Sequence, residues 1–90
     1  MRFEWDSDKA EENRRKHGVS FSEAITVMDD PLAITYPDPE HSEGELRSLT
    51  FGFSSAGRLL VVSHAERADT LRIFSARLAT REERKIYEEG

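Results

Sequence analysis

The sequence predicts an α+β fold, in which an antiparallel β-sheet of about four strands carries two N-terminal helices on one face and a short C-terminal helix follows. Three observations predict this arrangement. Two helix-start signals, at residues 6–8 and 20–23, precede every long β-rich stretch. Residues 46–78 are rich in alternating or continuous apolar residues bounded by turn residues. A last helix start, at residues 80–83, opens a charged C-terminal segment.

Composition limits the class of protein. The chain has 90 residues and no cysteine, so we expect one domain over residues 1–90, without disulfides or thiolate metal sites. No apolar run reaches the roughly 20 residues of a membrane span. The acidic start of the chain lacks the apolar core of a signal peptide. We therefore expect a bacterial-type cytoplasmic protein.

The first elements are a short strand at residues 3–5 and a helix from about residue 7 or 8 to His17. Residues 6–8 supply N-cap candidates and negative charge at the helix start, and Gly18 ends the helix. On this helix Lys9, Asn13 and Lys16 or His17 form one polar stripe. The stripe is either an ordinary solvated face or a surface directed at a ligand.

A second helix begins at a predicted capping box, with Ser20 as N-cap and Glu23 at the third helical position. Its apolar residues recur with helical spacing and predict a core-facing stripe: Phe21, Ala24, Ile25 and Met28. The helix should end before Pro31, because the residue preceding a proline is disfavoured in the helical region.

Strands follow at residues 32–36 and 46–54. The second of these alternates, with Leu49, Phe51 and Phe53 on one face, as is typical of a half-buried strand. Between the two strands lies a polar loop, residues 38–45, in which His41 is surrounded by acids. Its residues have no recognised metal-ligand spacing, so the pattern favours a polar loop over a metal site.

Residues 58–78 predict a β-hairpin that organises the sheet. A Leu- and Val-rich strand is followed by His64, Glu66 and Arg67, turns at residues 68–70, and resumes with Arg72 and Arg77. Charged residues are rarely fully buried without partners. Those at the hairpin ends should therefore pair with one another or contact a ligand.

Charge is distributed unevenly along the chain. The net charge is −5, which by itself argues against a polyanionic partner. Residues 1–45 hold 5 basic and 12 acidic residues, whereas residues 46–90 hold 8 basic and 6 acidic ones, and seven of those eight are arginines. Because arginine matches phosphate with a planar fork, a local phosphate-binding patch is compatible with an acidic protein.

Short blocks in one order run along the whole chain. They are Phe3-Glu4-Trp5-Asp6, Lys9-Ala10, Asn13, Lys16-His17-Gly18-Val19-Ser20-Phe21, Asp30-Pro31, His41-Ser42-Glu43-Gly44-Glu45-Leu46-Arg47, Gly57-Arg58-Leu59-Leu60-Val61-Val62, His64, Glu66-Arg67, Arg72-Ile73, Ser75-Ala76-Arg77, Ala79-Thr80, Glu83-Arg84 and Tyr87-Glu88. In these blocks the chain resembles the BrnT family of bacterial ribonuclease toxins from end to end. Met28 and Phe74 depart from the pattern, where Phe and an aliphatic residue are expected, but both remain apolar.

The resemblance implies a RelE-like fold and a type II toxin that inhibits translation and growth by cutting RNA. It also implies a BrnA-like antitoxin, a ribbon-helix-helix DNA-binding protein, in a complex with two copies of each chain. The toxin would then contact DNA only through its antitoxin. No cofactor and no membrane association are expected.

Cutting RNA without a metal requires a base, an acid and cations that stabilise the phosphate. We predict four catalytic residues: His64, Glu66, Arg67 and Arg77. We predict four RNA-binding residues: Lys9, Lys16, His17 and Arg72. The base and the acid are not assigned, and no metal ligand is expected.

Two alternatives stay open. At the level of residues, His64 is alternatively a hydrogen-bonded strand residue, and the charged residues of the hairpin alternatively form cross-strand salt bridges. The chain as a whole is alternatively a non-catalytic module that binds a DNA-binding protein and modulates its repression. The net acidity favours this second function.

Overall fold

The structure is a computed structural model that describes residues 1–42 and 44–90. Glu43, in the predicted loop 38–45, lies outside the described residues. Along the chain the elements are β1 (Arg2–Glu4), α1 (Ser7–His17), α2 (Phe21–Ile25) with a 3₁₀ turn (Thr26–Asp29), β2 (Ile34–Pro37), a second 3₁₀ turn (Pro39–His41), β3 (Ser48–Phe53), β4 (Leu59–Arg67), β5 (Thr70–Leu78) and α3 (Arg81–Glu89). The predicted α+β class, with three helices, is confirmed.

The prediction of about four antiparallel strands is wrong. The described residues form a mixed sheet of five strands in the order β1-β5-β4-β3-β2. Strands β2 to β5 are antiparallel, but β1 runs parallel to β5, with Phe3 opposite Leu71. Hairpins and turns dictate the direction of β3, β4 and β5. No turn joins β1 to β5, so local sequence does not reveal how they pair.

One face of the sheet, which we call the core face, carries Leu60 and Val62 of β4. It packs against α2 and the turn after it, and the buried cluster comprises Val19, Phe21, Ala24, Val27, Leu60, Val62, Leu71, Ile73 and Ala76. Trp5, Ile25 and Met28 pack against this cluster, so the apolar stripe predicted for the second helix does face the core. Trp5 meets Phe21 edge to face, with ring centroids 5.9 Å apart.

Asn13 fastens α1 to the free edge of β5. Its side-chain amide donates to the carbonyl oxygens of Val19 at 2.9 Å and Ala76 at 2.8 Å, and its oxygen accepts from the Ala76 amide at 3.2 Å. It thereby replaces the strand neighbour that β5 lacks beyond β1. Asn13 is only 7% exposed, and its amide is bonded to main-chain groups, so this member of the predicted polar stripe fastens the helix to the sheet.

Helix α3 contacts the other side of the sheet, which we call the opposite face. Its predicted capping box is present, because Thr80 accepts from the Glu83 amide and Glu83 accepts from the Thr80 amide. Tyr87 packs on Phe53 with ring centroids 5.3 Å apart. Phe53 pairs with Leu59, which alternates with Leu60, so this contact lies away from the core face. Helix α3 therefore lies on the face opposite α2, a placement that the prediction of two N-terminal helices on one face did not include.

No helix in residues 1–42 or 44–90 is long and apolar enough to cross a membrane.

Candidate functional site

A cleft of about 470 Å³ lies between α1 and the opposite face of the sheet. Its volume is in the range of ligand-binding pockets. The sheet contributes Leu49, Ser63 and Ser75, which are paired across β3, β4 and β5 and so share one face. The helix and the loop after β2 supply its remaining walls, so three separate parts of the chain build the site.

Basic side chains dominate the cleft. Four cationic residues line it, Lys9, Lys16, Arg47 and Arg77, together with the imidazoles of His17 and His41. Only two carboxylates, Glu12 and Asp38, are among the lining residues. The cleft of a protein with net charge −5 is thus locally basic, and such a surface attracts a polyanion.

Lys9 and Lys16 project from exposed positions on α1. Within residues 1–42 and 44–90, no carboxylate lies within ion-pairing distance of either side chain. Their charges are therefore available to a ligand phosphate.

Arg47 and Phe74 line the cleft and contact each other. The Arg47 guanidinium carbon lies 3.8 Å from the centroid of the Phe74 ring, which is a cation–π contact. The Arg47 Nε atom is buried and has no hydrogen-bond partner among the described residues. The sequence-based prediction missed Arg47. Its separation by two residues from Leu49, on a predicted alternating strand, was the signal that both side chains lie on one face.

Arg77 joins the cleft to α3. Its guanidinium donates to the two Glu83 carboxylate oxygens at 2.6 and 2.8 Å. This pairing lowers the pKa of Glu83 to about 2 and raises that of Arg77. The bidentate contact fixes the guanidinium at the rim of the cleft and partly neutralises its charge.

Two histidines line the cleft from different elements. His41, in the turn after β2, contacts the Asp38 carboxylate through Nδ1 at 2.9 Å. His17 lies in the last turn of α1. His17 was predicted to bind RNA, whereas His41 was considered only as a metal ligand. The three-residue spacing of Asp38 and His41 was the available signal for an Asp–His pair.

His64 lies on the core face, away from the cleft. It is 3% exposed, and its Nε2 atom is 2.6 Å from the hydroxyl oxygen of Thr50, which is in turn 2.7 Å from that of Thr35. Its Nδ1 atom is buried without a partner among the described residues. Burial lowers the pKa of His64, and the nearby charge of Glu66 acts in the opposite direction. These contacts agree with the alternative of a hydrogen-bonded strand residue.

The other charged residues of the hairpin form ion pairs or lie at its exposed end. Arg67 donates from Nε and Nη2 to Glu45 at 2.8 and 2.5 Å, which raises the Arg67 pKa. Arg72 lies 3.5 Å from Glu4 on the neighbouring β1. Glu66 is exposed. The salt bridges are thus made to partners outside the hairpin.

The structure brings half of the predicted site residues together. Lys9, Lys16, His17 and Arg77 all line the cleft. The remaining four, His64, Glu66, Arg67 and Arg72, do not. In the part of the chain that the structure describes, no three His, Asp or Glu side chains group as metal ligands would.

Comparisons with known proteins give a family match and a structural match. A family model described as the ribonuclease toxin BrnT of type II toxin–antitoxin systems matches residues 5–83. The crystal structure of the Brucella abortus ribonuclease toxin BrnT superposes with a TM-score of 0.70 and 21% sequence identity, covering 90% of this chain and 99% of that one. A comparison with curated protein sequences gives no match. At this level of identity the structural likeness concerns the fold.

Proposed function

The chain belongs to the BrnT family of type II ribonuclease toxins, and from this premise we propose that it cuts RNA endonucleolytically in the basic cleft. Toxins of this type act with an antitoxin. We infer that cleavage needs no metal, takes place in the cytoplasm, and inhibits translation and growth. We further propose that its antitoxin is a BrnA-like ribbon-helix-helix protein and that the complex contains two copies of each chain. In this complex only the antitoxin contacts DNA. A RelE-like relationship of the fold stays a prediction.

One observation carries this proposal. Four cationic side chains and two imidazoles converge on one cleft of an acidic protein. Phosphodiester cleavage requires cations around the phosphate and groups that transfer protons, and the cleft offers both. We therefore retain Lys9, Lys16, His17 and Arg77 in the proposed site and add Arg47.

The cationic residues of the cleft have roles that follow from their positions. Lys9 and Lys16 hold backbone phosphates, because their charges have no carboxylate partner among the described residues. Arg77 stabilises charge that develops on the scissile phosphate. Arg47 and Phe74 offer a flat surface on which a base stacks. Catalytic roles for His64, Glu66 and Arg67, and RNA binding by Arg72, stay predictions.

A cleavage assay tests this function: the purified chain is incubated with a labelled single-stranded RNA in excess EDTA. We expect the parent to leave 2′,3′-cyclic phosphate ends, and the double variant Lys9→Gln/Lys16→Gln to cut at least about 10-fold more slowly. Arg81→Gln/Lys85→Gln is the matched control, since it removes the same charge from exposed positions of α3. Equal loss in both double variants would contradict the cleft as the site.

A non-catalytic partner-binding module is the second candidate function. The net charge of −5 and the pairing of Arg67 and Arg77 with carboxylates favour it. Arg77→Ala separates the two functions. If the chain is a ribonuclease, this variant should no longer inhibit growth but should still bind the antitoxin. If the chain is a binding module, the variant should no longer bind its partner.

A further inference from the structure

Two imidazoles line the cleft from separate elements of the chain. His17 comes from α1 and His41 from the turn after β2, 24 positions later in the chain. Imidazole is the side chain that both accepts and donates protons near neutral pH. The third histidine, His64, is buried on the core face with Nε2 bonded to Thr50. The cleft therefore holds both histidines that a ligand can reach.

His41 is paired with a carboxylate. The Asp38 carboxylate, whose side chain is 14% exposed, lies 2.9 Å from Nδ1, whereas the His41 side chain is 65% exposed. A carboxylate favours the tautomer with the proton on Nδ1, which leaves Nε2 as the proton acceptor. The Ser42 hydroxyl donates to the Asp38 carbonyl at 2.7 Å and so braces the same turn.

His17 lines the cleft from the last turn of α1. Lys16, its neighbour, also lines the cleft and is available to hold a phosphate beside His17.

We propose, on the premise of the proposed function, that His41 and His17 are the base and the acid of RNA cleavage. His41 Nε2 removes the proton of a ribose 2′-hydroxyl, and the 2′-oxygen bonds to the adjacent phosphorus. The bond from phosphorus to the 5′-oxygen breaks, and His17 protonates that oxygen. The products are a 2′,3′-cyclic phosphate and a 5′-hydroxyl. Asp38 is a positioning residue that acts through His41.

A modified substrate separates the two roles. In an oligonucleotide with sulfur in place of the scissile 5′-oxygen, the leaving thiolate needs no protonation. His17→Gln should slow cleavage of normal RNA on the order of 10²- to 10⁴-fold, yet cut the sulfur substrate at close to the parent rate. His41→Gln should slow both substrates. Circular dichroism melting verifies that each variant is folded.

Asp38→Asn tests the positioning role. It should lower kcat and leave KM unchanged, and the double variant Asp38→Asn/His41→Gln should be no slower than His41→Gln alone. Additive losses would show that Asp38 acts independently of His41.

The outcomes distinguish this inference from the function on which it rests. If His17→Gln and His41→Gln both retain parent activity while Lys9→Gln/Lys16→Gln loses it, the function stands and the proton-transfer pair is wrong. If His17→Gln is equally slow on both substrates, His17 is not the acid. If the parent cuts neither substrate, the proposed function fails and the pair fails with it.

Discussion

Replacing Asn13 by Ala should destabilise the protein by about 2–3 kcal/mol. The side chain is 7% exposed and makes three hydrogen bonds to main-chain groups of Val19 and Ala76. Each is worth about 1 kcal/mol, and two carbonyl oxygens and one amide are left without this partner. The higher helix propensity of Ala returns roughly 0.5 kcal/mol. A domain of this size has a total stability of roughly 5–13 kcal/mol, so the loss is large.

Urea denaturation followed by circular dichroism measures this loss as a lower midpoint with an unchanged slope. Arg15→Ala on the exposed side of α1 is the control and should change stability by less than about 0.5 kcal/mol. Asn13→Asp keeps the shape of the side chain but places a carboxylate against two carbonyl oxygens. It should therefore lower the free energy of unfolding more than Asn13→Ala does. The Ala76 amide should also exchange hydrogen faster in Asn13→Ala. A loss below about 1 kcal/mol would refute the role of Asn13 in fastening α1 to β5.

Three further predictions concern stability. Because burial lowers the His64 pKa, the unfolded chain binds more protons than the folded one, and the free energy of unfolding should fall as the pH drops below about 6.5. Urea titrations at several pH values should show a weaker pH dependence for His64→Asn. Tyr87→Phe removes a 2.6 Å bond to Asp30 and should lose about 1 kcal/mol in the same assay. Because the pKa of Tyr87 is raised to about 12, the bond's contribution should persist below pH 10 and disappear as the pH approaches 12. Because the Glu83 pKa is lowered to about 2, its ion pair should stabilise the fold above pH 4.5, and this stabilisation should disappear as the pH falls toward 2. Glu83→Gln should therefore lower the free energy of unfolding by about 1 kcal/mol at pH 7, a small value because solvent screens Arg77, whose side chain is 38% exposed.

Local signals account for the elements that the sequence predicted well. Gly18 ends α1 with φ of 70°, a conformation that glycine adopts without strain. Ser20 and Thr80 cap the helices after them, as their spacing to Glu23 and Glu83 indicated. At the first of these sites the Glu23 carboxylate instead binds Ser54, on the loop before β4. The capping position is readable from local sequence, but this long-range contact is not.

The pairing of β4 with β5 shows what periodicity misses. Between Ser63 and His64 the register shifts, because Ser63 pairs with Ser75 whereas His64 pairs with Ile73. Phe74 is left over as a bulge. Strict alternation would place Arg72 and Arg77 on different faces, since they are five positions apart. The bulge instead leaves both on the opposite face, where their partners Ala65 and Val61 lie.

Only half of the candidate site was predictable from the sequence, because its other half depends on contacts between distant segments. The residues of α1 share a helical stripe, so Lys9, Lys16 and His17 were recognised together. Arg47 and His41 reach the cleft through the pairing of β3 with β4 and the turn after β2. Contacts between segments so far apart in sequence depend on tertiary packing, which no local pattern encodes.

An NMR titration with a short 2′-O-methyl RNA tests the central claim most directly, because this RNA binds but lacks the attacking hydroxyl. If RNA occupies the cleft, the amide signals of Lys16, His17, Arg47 and Ser75 should shift together as RNA is added. The double variant Lys9→Gln/Lys16→Gln should weaken that binding and reduce its dependence on salt. Shifts confined to the hairpin end around Arg67, with the cleft signals unmoved, would contradict the account.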